Sequence, residues 1–507
     1  MKDSFVIRNA EIFDGTGAPP FAGDVAVSDG MIEAVLPAGS SAGSSGPAFD
    51  AAGDALAPGF IDVHSHSDTD ILAMPGADNK ISQGVTTEIV GNCGFTEFAG
   101  DGRIHLDRYA AQLASVRPSV NIAALAGHNT LRALTMKDQA RPASRSETAA
   151  MRALLEEALE QGAAGFSIGL WYYSGIYSKT EEAAEIAGAL RGTGKPCAAH
   201  IRSEGDTLLE SLEEACAIAR AGDGILQLSH FKTMERANWH KLSAAFELLE
   251  KKRAEGLRIA GDRYPYLYAG TGFRMCMPAP YSQMSCEEAH RLLRDDPAER
   301  RKLADSVASF EPSCGWDRVI FASSPATEHA PLLGRTIPEA AALRGCSIGE
   351  LCAAILAESP EPIAMTGTMC AENLDRILAQ DWIMPGSDAG IQTFEVPSGH
   401  PRKFGTMARF FRMACAHSPA EKVIRRMTAL PAETFGLKNR GVIRPGAYAD
   451  LVLFRKNELN AEEDYAHPAV PAKGIRRVYV NGILSYEPGE PPPGRAGVFI
   501  TVRNQGE

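Results

Sequence analysis

The sequence lacks most of the features that would place it quickly. Its ten cysteines include no Cys-x-x-Cys pair and show no regular spacing, so they read as reduced thiols in a cytoplasm. There is no block of Lys or Arg, and the formal net charge is −12. A phosphate-binding face needs the opposite sign, which excludes nucleic acid as the expected partner. No apolar run approaches the roughly 18 residues of a membrane span. Near the N-terminus only Phe5-Val6-Ile7 precedes Arg8, too little for the apolar core of a secretion signal. At 45% hydrophobic and 22% charged, the chain is also too apolar to stay disordered. The expectation is a cytoplasmic globular protein with no membrane partner, whose 507 residues suffice for a large α/β barrel and a smaller domain.

What is present falls into two patterns. Residues 5–35 alternate as β-strands do, with turns at Asp14-Gly15 and Asp29-Gly30. A Gly/Ser/Ala-rich loop follows at 39–53. Near the other end, Asp450–Phe454 and Val478–Leu484 are again strand-like, the latter folded at Asn481-Gly482. Each terminal piece is too short to hold a sheet alone. Together, 1–56 and 436–507 predict one small β-sandwich domain formed by both chain termini. Between them, over 57–435, short apolar runs alternate with helical stretches at 147–161, 179–191, 206–221 and 238–255. The runs begin at Gly59, Thr87, Ile122, Gly165, Pro196, Gly224, Arg258 and Trp382. Eight strands separated by helices predict a (β/α)8 barrel. Residues 275–380 exceed one crossover and read as an insertion after the seventh strand.

The histidines become informative once placed on this frame. His64 and His66 close the first run and, two apart on a strand, point to one face. The C-terminal rim of a barrel is where such folds place their chemistry. Other runs also end in chemistry: Gly91-Asn92-Cys93-Gly94, Gly127-His128, Ala199-His200, Ser229-His230 and Gly386-Ser387-Asp388. Imidazole, thiolate and carboxylate converging on one rim suit Zn²⁺. Asp388 is the one carboxylate at a strand end in this set, which points to it as general base. His128 reads equally as a support of the site or as a core histidine. His105, His240, His290, His329, His417 and His467 lie in helical or loop contexts and read as structural or solvated.

These motifs resemble the N-acyl-D-amino-acid deacylase (D-aminoacylase) family of the amidohydrolase superfamily. The likeness runs from Ala57-Pro58-Gly59-Phe60-Ile61-Asp62-Val63-His64-Ser65-His66 through Lys80–Thr87, Gly91-Asn92-Cys93-Gly94, His200–Gly205 and Tyr264-Pro265-Tyr266. It continues through Gly386-Ser387-Asp388 and His400-Pro401-Arg402 to Pro445–Val452. The resemblance implies one tightly bound zinc held by Cys93, His200 and His230. It also implies a second, weaker position at His64, His66 and Asp388, with Cys93 shared. Many amidohydrolases bridge two metals with a carboxylated lysine on the fourth strand. Phe166–Leu170 has no lysine, and the Cys93 thiolate supplies the missing negative ligand. By the same resemblance, Arg402 and Tyr264 grip the carboxylate of a small-molecule N-acyl amino acid, with Tyr172 and Lys232 lining the pocket. Departures occur at Phe231 (often His in the family), Ala389 (often Gly), the loop 389–399 and Arg263. None removes a ligand.

The expected activity is therefore zinc-dependent hydrolysis of N-acyl-D-amino acids. Two other readings compete: another amidohydrolase acting on a cyclic amide or a related C–N bond, and a non-enzymatic scaffold. The missing lysine argues against the first and the intact set from His64 to Asp388 against the second.

Overall fold

A computed structural model describes residues 4–40, 46–396, 398–490 and 494–503. The central sheet has eight parallel strands: β1 Phe60–Asp62, β2 Val85–Val90, β3 Asn121–Gly127, β4 Gly165–Gly169, β5 Cys197–His200, β6 Ile225–Leu228, β7 Arg258–Arg263 and β8 Ile383–Pro385. They follow one another in chain order around the sheet. Nearly every strand residue is buried, as expected where a parallel sheet is covered on both faces. Contacts just beyond β1 and β8 close the circle. The Val63 amide donates to the Pro385 carbonyl at 3.4 Å, the Asp388 amide to the His64 carbonyl at 2.7 Å, and Ser65 bridges Ala389. This is a (β/α)8 barrel.

The surrounding helices start where local chemistry starts them. Ser144 and Glu147 form a reciprocal capping box at the head of Arg145–Glu160, and Thr180–Ala187, Leu208–Ala221 and Leu242–Ala254 follow β4, β5 and β6. Among the described residues, no single helix is long and apolar enough to cross a membrane.

Strands from both chain ends make a second sheet. Ile483–Tyr486, Ile475–Val480, Leu451–Phe454, Ala55–Pro58, Phe5–Ile12, Phe21–Ser28 and Met31–Pro37 lie in that spatial order, with Ala48–Asp50 also paired to Phe5–Ile12. Its core includes Ile7, Ile12, Val25, Leu56, Leu451 and Leu453. The two short hairpins turn on left-handed pairs, Asp29-Gly30 (φ 53° and 82°) and Asn481-Gly482 (φ 49° and 78°), the turn chemistry the sequence predicts. The expected loop at 39–53 instead contains the short strand Ala48–Asp50, too brief to carry an alternation signal, while residues 41–45 of it lie outside the described residues. Ala55–Pro58 runs into β1 with only Gly59 between; a Cβ there would lie 2.1 Å from Thr86 Oγ1.

A buried polar knot fastens this sheet to the barrel. Asp450 pairs with Arg440, accepts from the Asn481 amide at 2.8 Å and faces Asn121 Nδ2 on β3 at 3.3 Å. Replacing Asp450 with Ala leaves the Arg440 guanidinium buried without its carboxylate. An uncompensated buried charge costs about 3–5 kcal/mol, so the denaturant midpoint of D450A should fall well below that of the parent. A midpoint within error of the parent would show that the knot holds nothing.

Between β7 and β8 the chain leaves the barrel to form a three-stranded antiparallel sheet, ordered Ala269–Gly272, Ile363–Thr366, Val319–Ser323. Helices Cys286–Asp295, Pro297–Ala308, Ile337–Arg344 and Ile348–Glu358 accompany it, around a separate core that includes Phe273, Leu303, Phe321 and Leu351. This unit sets the strand Ala269–Gly272 over the mouth of the barrel. Helix Ala371–Leu378 then leads back to β8.

Candidate metal centre

Six of the predicted site residues meet at the C-terminal rim. Cys93 Sγ lies 3.3 Å from His64 Nε2, 3.6 Å from His200 Nδ1 and 3.7 Å from His230 Nε2. Asp388 Oδ1 stands 3.4 Å from His64 Nε2 and 3.0 Å from His66 Nε2. Tetrahedral Zn²⁺ with bonds of about 2.0–2.3 Å separates a sulfur and a nitrogen ligand by about 3.5 Å. The donor set Cys93, His200 and His230 meets that spacing, so these residues fit the metal by both chemistry and geometry.

Three of the six adopt backbone conformations that side-chain-bearing residues usually avoid: Cys93 (φ 54°), His230 (φ 37°) and Asp388 (φ 50°). Strained left-handed residues persist only where the surroundings hold them. They turn the chain sharply at the ends of β2, β6 and β8, aiming each ligand atom inward. Close packing enforces the turns: a Cβ on Gly169 would lie 1.9 Å from the Cys93 carbonyl oxygen, and one on Gly386 2.8 Å from the Cβ of His64.

Residues not singled out from sequence orient the imidazoles. Glu204 Oε1 lies 2.9 Å from His230 Nδ1, and a ring offering its Nε2 lone pair must carry its proton on Nδ1, so Glu204 is the acceptor. Asp262 Oδ2 likewise lies 3.2 Å from His64 Nδ1, while Asp262 Oδ1 accepts the His230 amide at 3.0 Å. One carboxylate at the end of β7 thus holds two of the histidines. Below them the buried Lys80 Nζ meets Asp62 Oδ2 and Glu88 Oε1, each at 2.8 Å, and the Ser387 hydroxyl at 2.9 Å, tying β1, β2 and β8 together. Period two does place Asp262 inward after Ala260. Glu204 sits in a loop without periodicity.

The electrostatics follow from this crowding. Burial pushes the Cys93 thiol up, but the His64 charge and hydrogen bonds from His200, His230 and His64 outweigh it and hold the thiol well below its usual range. Burial also raises the Asp388 carboxyl, yet the Arg402 guanidinium and His64 keep it well below the ordinary carboxylate range. Burial and the neighbouring His230 lower His200.

The predicted substrate-binding residues stand around this cluster. Arg402 opens helix Arg402–Ala414, and one of its terminal nitrogens donates to Asp388 Oδ2 at 2.7 Å, while its Nε has no partner. His400 accepts the Arg402 amide on Nδ1 and donates from Nε2 to the Tyr268 carbonyl. The Tyr264 ring lies under Arg402 at 4.7 Å and under Arg263 at 4.1 Å. Lys232 Nζ is 2.5 Å from Glu204 Oε1. Tyr172 packs on His200 with ring centres 4.6 Å apart. A cavity of about 200 Å³ holds His200, His230, Lys232, Tyr172, Tyr264 and Asp388 on its walls. His128 lies apart: its Nε2 is 3.2 Å from Glu182, which also pairs with Arg132.

Comparison with known proteins matches this architecture. The model of the amidohydrolase family covers residues 48–486. The D-aminoacylase of Alcaligenes xylosoxydans xylosoxydans is 32% identical across 94% of this chain and 93% of its own. The N-acyl-D-aspartate deacylase of the same organism is 33% identical across 94% and 91%. The crystal structure of N-acyl-D-glutamate deacylase from Bordetella bronchiseptica, complexed with zinc and a phosphonate mimic of the tetrahedral intermediate, superposes with a TM-score of 0.80. It is 31% identical and covers 99% of this chain and 100% of that one.

Proposed function

Because the chain belongs to the amidohydrolase family, in its D-aminoacylase branch, we propose that it hydrolyses the amide bond of N-acyl-D-amino acids, giving a carboxylate and a free D-amino acid. The observation that carries this reading is the single cluster of Cys93, His200, His230, His64, His66 and Asp388, with one thiolate where a bridging carboxylated lysine is absent from β4. Cys93, His200 and His230 hold the tight metal, and His64, His66 and Asp388 offer the weaker position with Cys93 shared. Bound there, zinc supplies a Lewis acid for the scissile carbonyl and a water of lowered pKa.

The protein's own groups do the rest. Asp388, ionised and half-buried at the centre, takes a proton from the attacking water as its oxygen bonds to the acyl carbon. It returns that proton to the nitrogen as the C–N bond breaks. Glu204 and Asp262 keep the imidazoles of His230 and His64 in the tautomers that face the cluster. Arg402 and Tyr264 read the substrate carboxylate, which suits the planar guanidinium fork. Lys232 and Tyr172 wall the pocket. A carboxylate drawn to Arg402 also weakens its hold on Asp388, so the base gains basicity when substrate is seated.

A panel of N-acetyl-D-amino acids, their L-enantiomers, a hydantoin and a dihydropyrimidine tests this directly. The D compounds should turn over at least about a hundredfold faster than the L, since a misdirected scissile bond loses the near-attack geometry worth several kcal/mol. Turnover of the cyclic compounds alone would replace the reading with a cyclic amidohydrolase.

A further inference from the structure

Cys93 rides on a turn whose backbone is unusual at three of its four positions. Gly91, Cys93 and Gly94 have φ values of 76°, 54° and 82°. Cys93 stands third in Gly91-Asn92-Cys93-Gly94, a place where a positive φ normally calls for glycine or asparagine. The turn is pressed between two strands. A Cβ on Gly91 would lie 2.3 Å from the Leu125 carbonyl oxygen on β3, and one on Gly94 2.8 Å from the Gly169 amide nitrogen on β4. Where the sulfur stands thus depends on how this turn is held.

Ser167 reaches into the turn from β4. On that strand Phe166 and Ile168 pack outward, in the core that includes Leu155 and Ile186 of the surrounding helices. The alternate residues Gly165, Ser167 and Gly169 therefore face the barrel interior. Ser167 is fully buried. Its hydroxyl donates to the Gly91 carbonyl at 2.5 Å and accepts from the Gly94 amide at 3.1 Å. In an ordinary four-residue turn the first carbonyl accepts directly from the fourth amide. Here the Ser167 oxygen stands between the two and bonds to both, so the turn is closed through β4 and not on itself. Without that oxygen, a buried carbonyl and a buried amide are left unpaired or must draw together. Either outcome shifts Cys93, which lies between them, against His200 on β5 and His230 just past β6.

We infer that Ser167 is the positioning residue for the thiolate of the metal centre. Through this hydroxyl β4 serves the cluster, fixing where Cys93 Sγ stands relative to the His200 and His230 nitrogens. Ser167 bonds the backbone of the turn and acts through Cys93. The inference rests on Cys93 holding the metal, as in the deacylase reading above.

The test reads the metal directly. Zinc affinity of Ser167→Ala, measured by competition with a chelator, should fall about 10- to 100-fold, the usual effect of removing a support of a metal ligand. In the cobalt-substituted protein at saturating Co²⁺, the thiolate-to-cobalt charge-transfer band should shift or weaken, a signature that lowered stability alone does not move. Ser167→Thr keeps the hydroxyl and should stay close to the parent on both readouts. Ser167→Gly removes the same hydroxyl without adding bulk, and it carries the same expectation if the alanine variant does not fold. Ser211→Ala is the control. That hydroxyl is also buried and donates to the Thr207 carbonyl at 2.7 Å, but on helix Leu208–Ala221. Its loss should lower stability and leave zinc and the band alone. Parent-like affinity and band in Ser167→Ala, with zinc still lost from Cys93→Ala, overturns the inference and leaves the deacylase reading standing. Equal loss in Ser167→Ala and Ser167→Thr overturns it too, because the hydroxyl is then not what matters. Full zinc in Cys93→Ala overturns the inference together with the reading of Cys93 as a ligand.

Discussion

Replacing Cys93 with Ala should yield a folded protein that purifies almost free of zinc and shows no measurable deacylation. The thiol sulfur is the hub of the cluster, with imidazole nitrogens of His64, His200 and His230 at 3.3, 3.6 and 3.7 Å. It is also the donor that His200 and His230, both neutral when ligating, cannot replace, because they bring no negative charge. Zinc bound by four ligands is worth roughly 10–16 kcal/mol, so one ligand accounts for about 3 kcal/mol or more, a loss of at least about a hundredfold in affinity. Elemental analysis alongside far-UV circular dichroism reads the two halves of the claim. Cys93→Asp should retain more zinc than the alanine variant, since aspartate keeps the charge and tolerates the left-handed backbone found at this position (φ 54°). Cys197→Ala is the control. That thiol is also buried, but burial alone pushes it up to about 12, so it stays protonated and ligates nothing. Its loss should lower stability without touching zinc. Full zinc in Cys93→Ala would remove Cys93 from the metal site.

What could be read from the sequence was whatever repeats along a strand. Period two put His64 and His66 on one face, and the apolar runs placed Cys93, His200, His230 and Asp388 at strand ends, all of which meet in space. The same logic places His128 at a strand end, where it reads equally as a support of the site or as a core histidine, and here local structure decides. Helix His128–Thr135 begins at that residue, so the strand alternation ends one position earlier and the ring turns to Glu182 instead of the cluster. Glu204 and Lys80 fall inside motifs of the resemblance, but a loop and a four-residue helix have no periodicity from which to read their roles. Nor does the sequence show that Arg402 is already engaged by Asp388, 14 residues away. A larger cavity of about 520 Å³, which shares Trp171, Tyr172 and Thr271 with the first, was the least legible feature of all. Its walls come from residues 171–177 and from an inserted unit about a hundred positions later, and only tertiary folding brings them together.

Asp388→Asn should lose turnover by about 10²–10⁴-fold, the usual contribution of a general base, while keeping the metal held by Cys93, His200 and His230. The amide matches the carboxylate in shape and can still face His64 and His66, so the barrel end is not reopened. It cannot take a proton from water, nor return one to the departing nitrogen. Two rival explanations of a dead variant are separable from this one. If Asp388 acted only as a ligand of the weaker position, its loss would change metal content and not kcat at saturating zinc. If it acted only to anchor Arg402, which it holds at 2.7 Å, the variant would show a changed KM with kcat near normal, because the guanidinium would be free to wander or to grip the substrate carboxylate more strongly. The base role alone predicts a collapse in kcat at unchanged tight-site zinc. It also predicts a distinctive partner phenotype. Arg402→Met removes the charge that holds the Asp388 carboxyl low, so the acid limb of its kcat/KM profile should move to higher pH, while KM rises because the substrate carboxylate has lost its fork. An acid limb unmoved in Arg402→Met, together with near-normal kcat in Asp388→Asn, would transfer the proton to some other group.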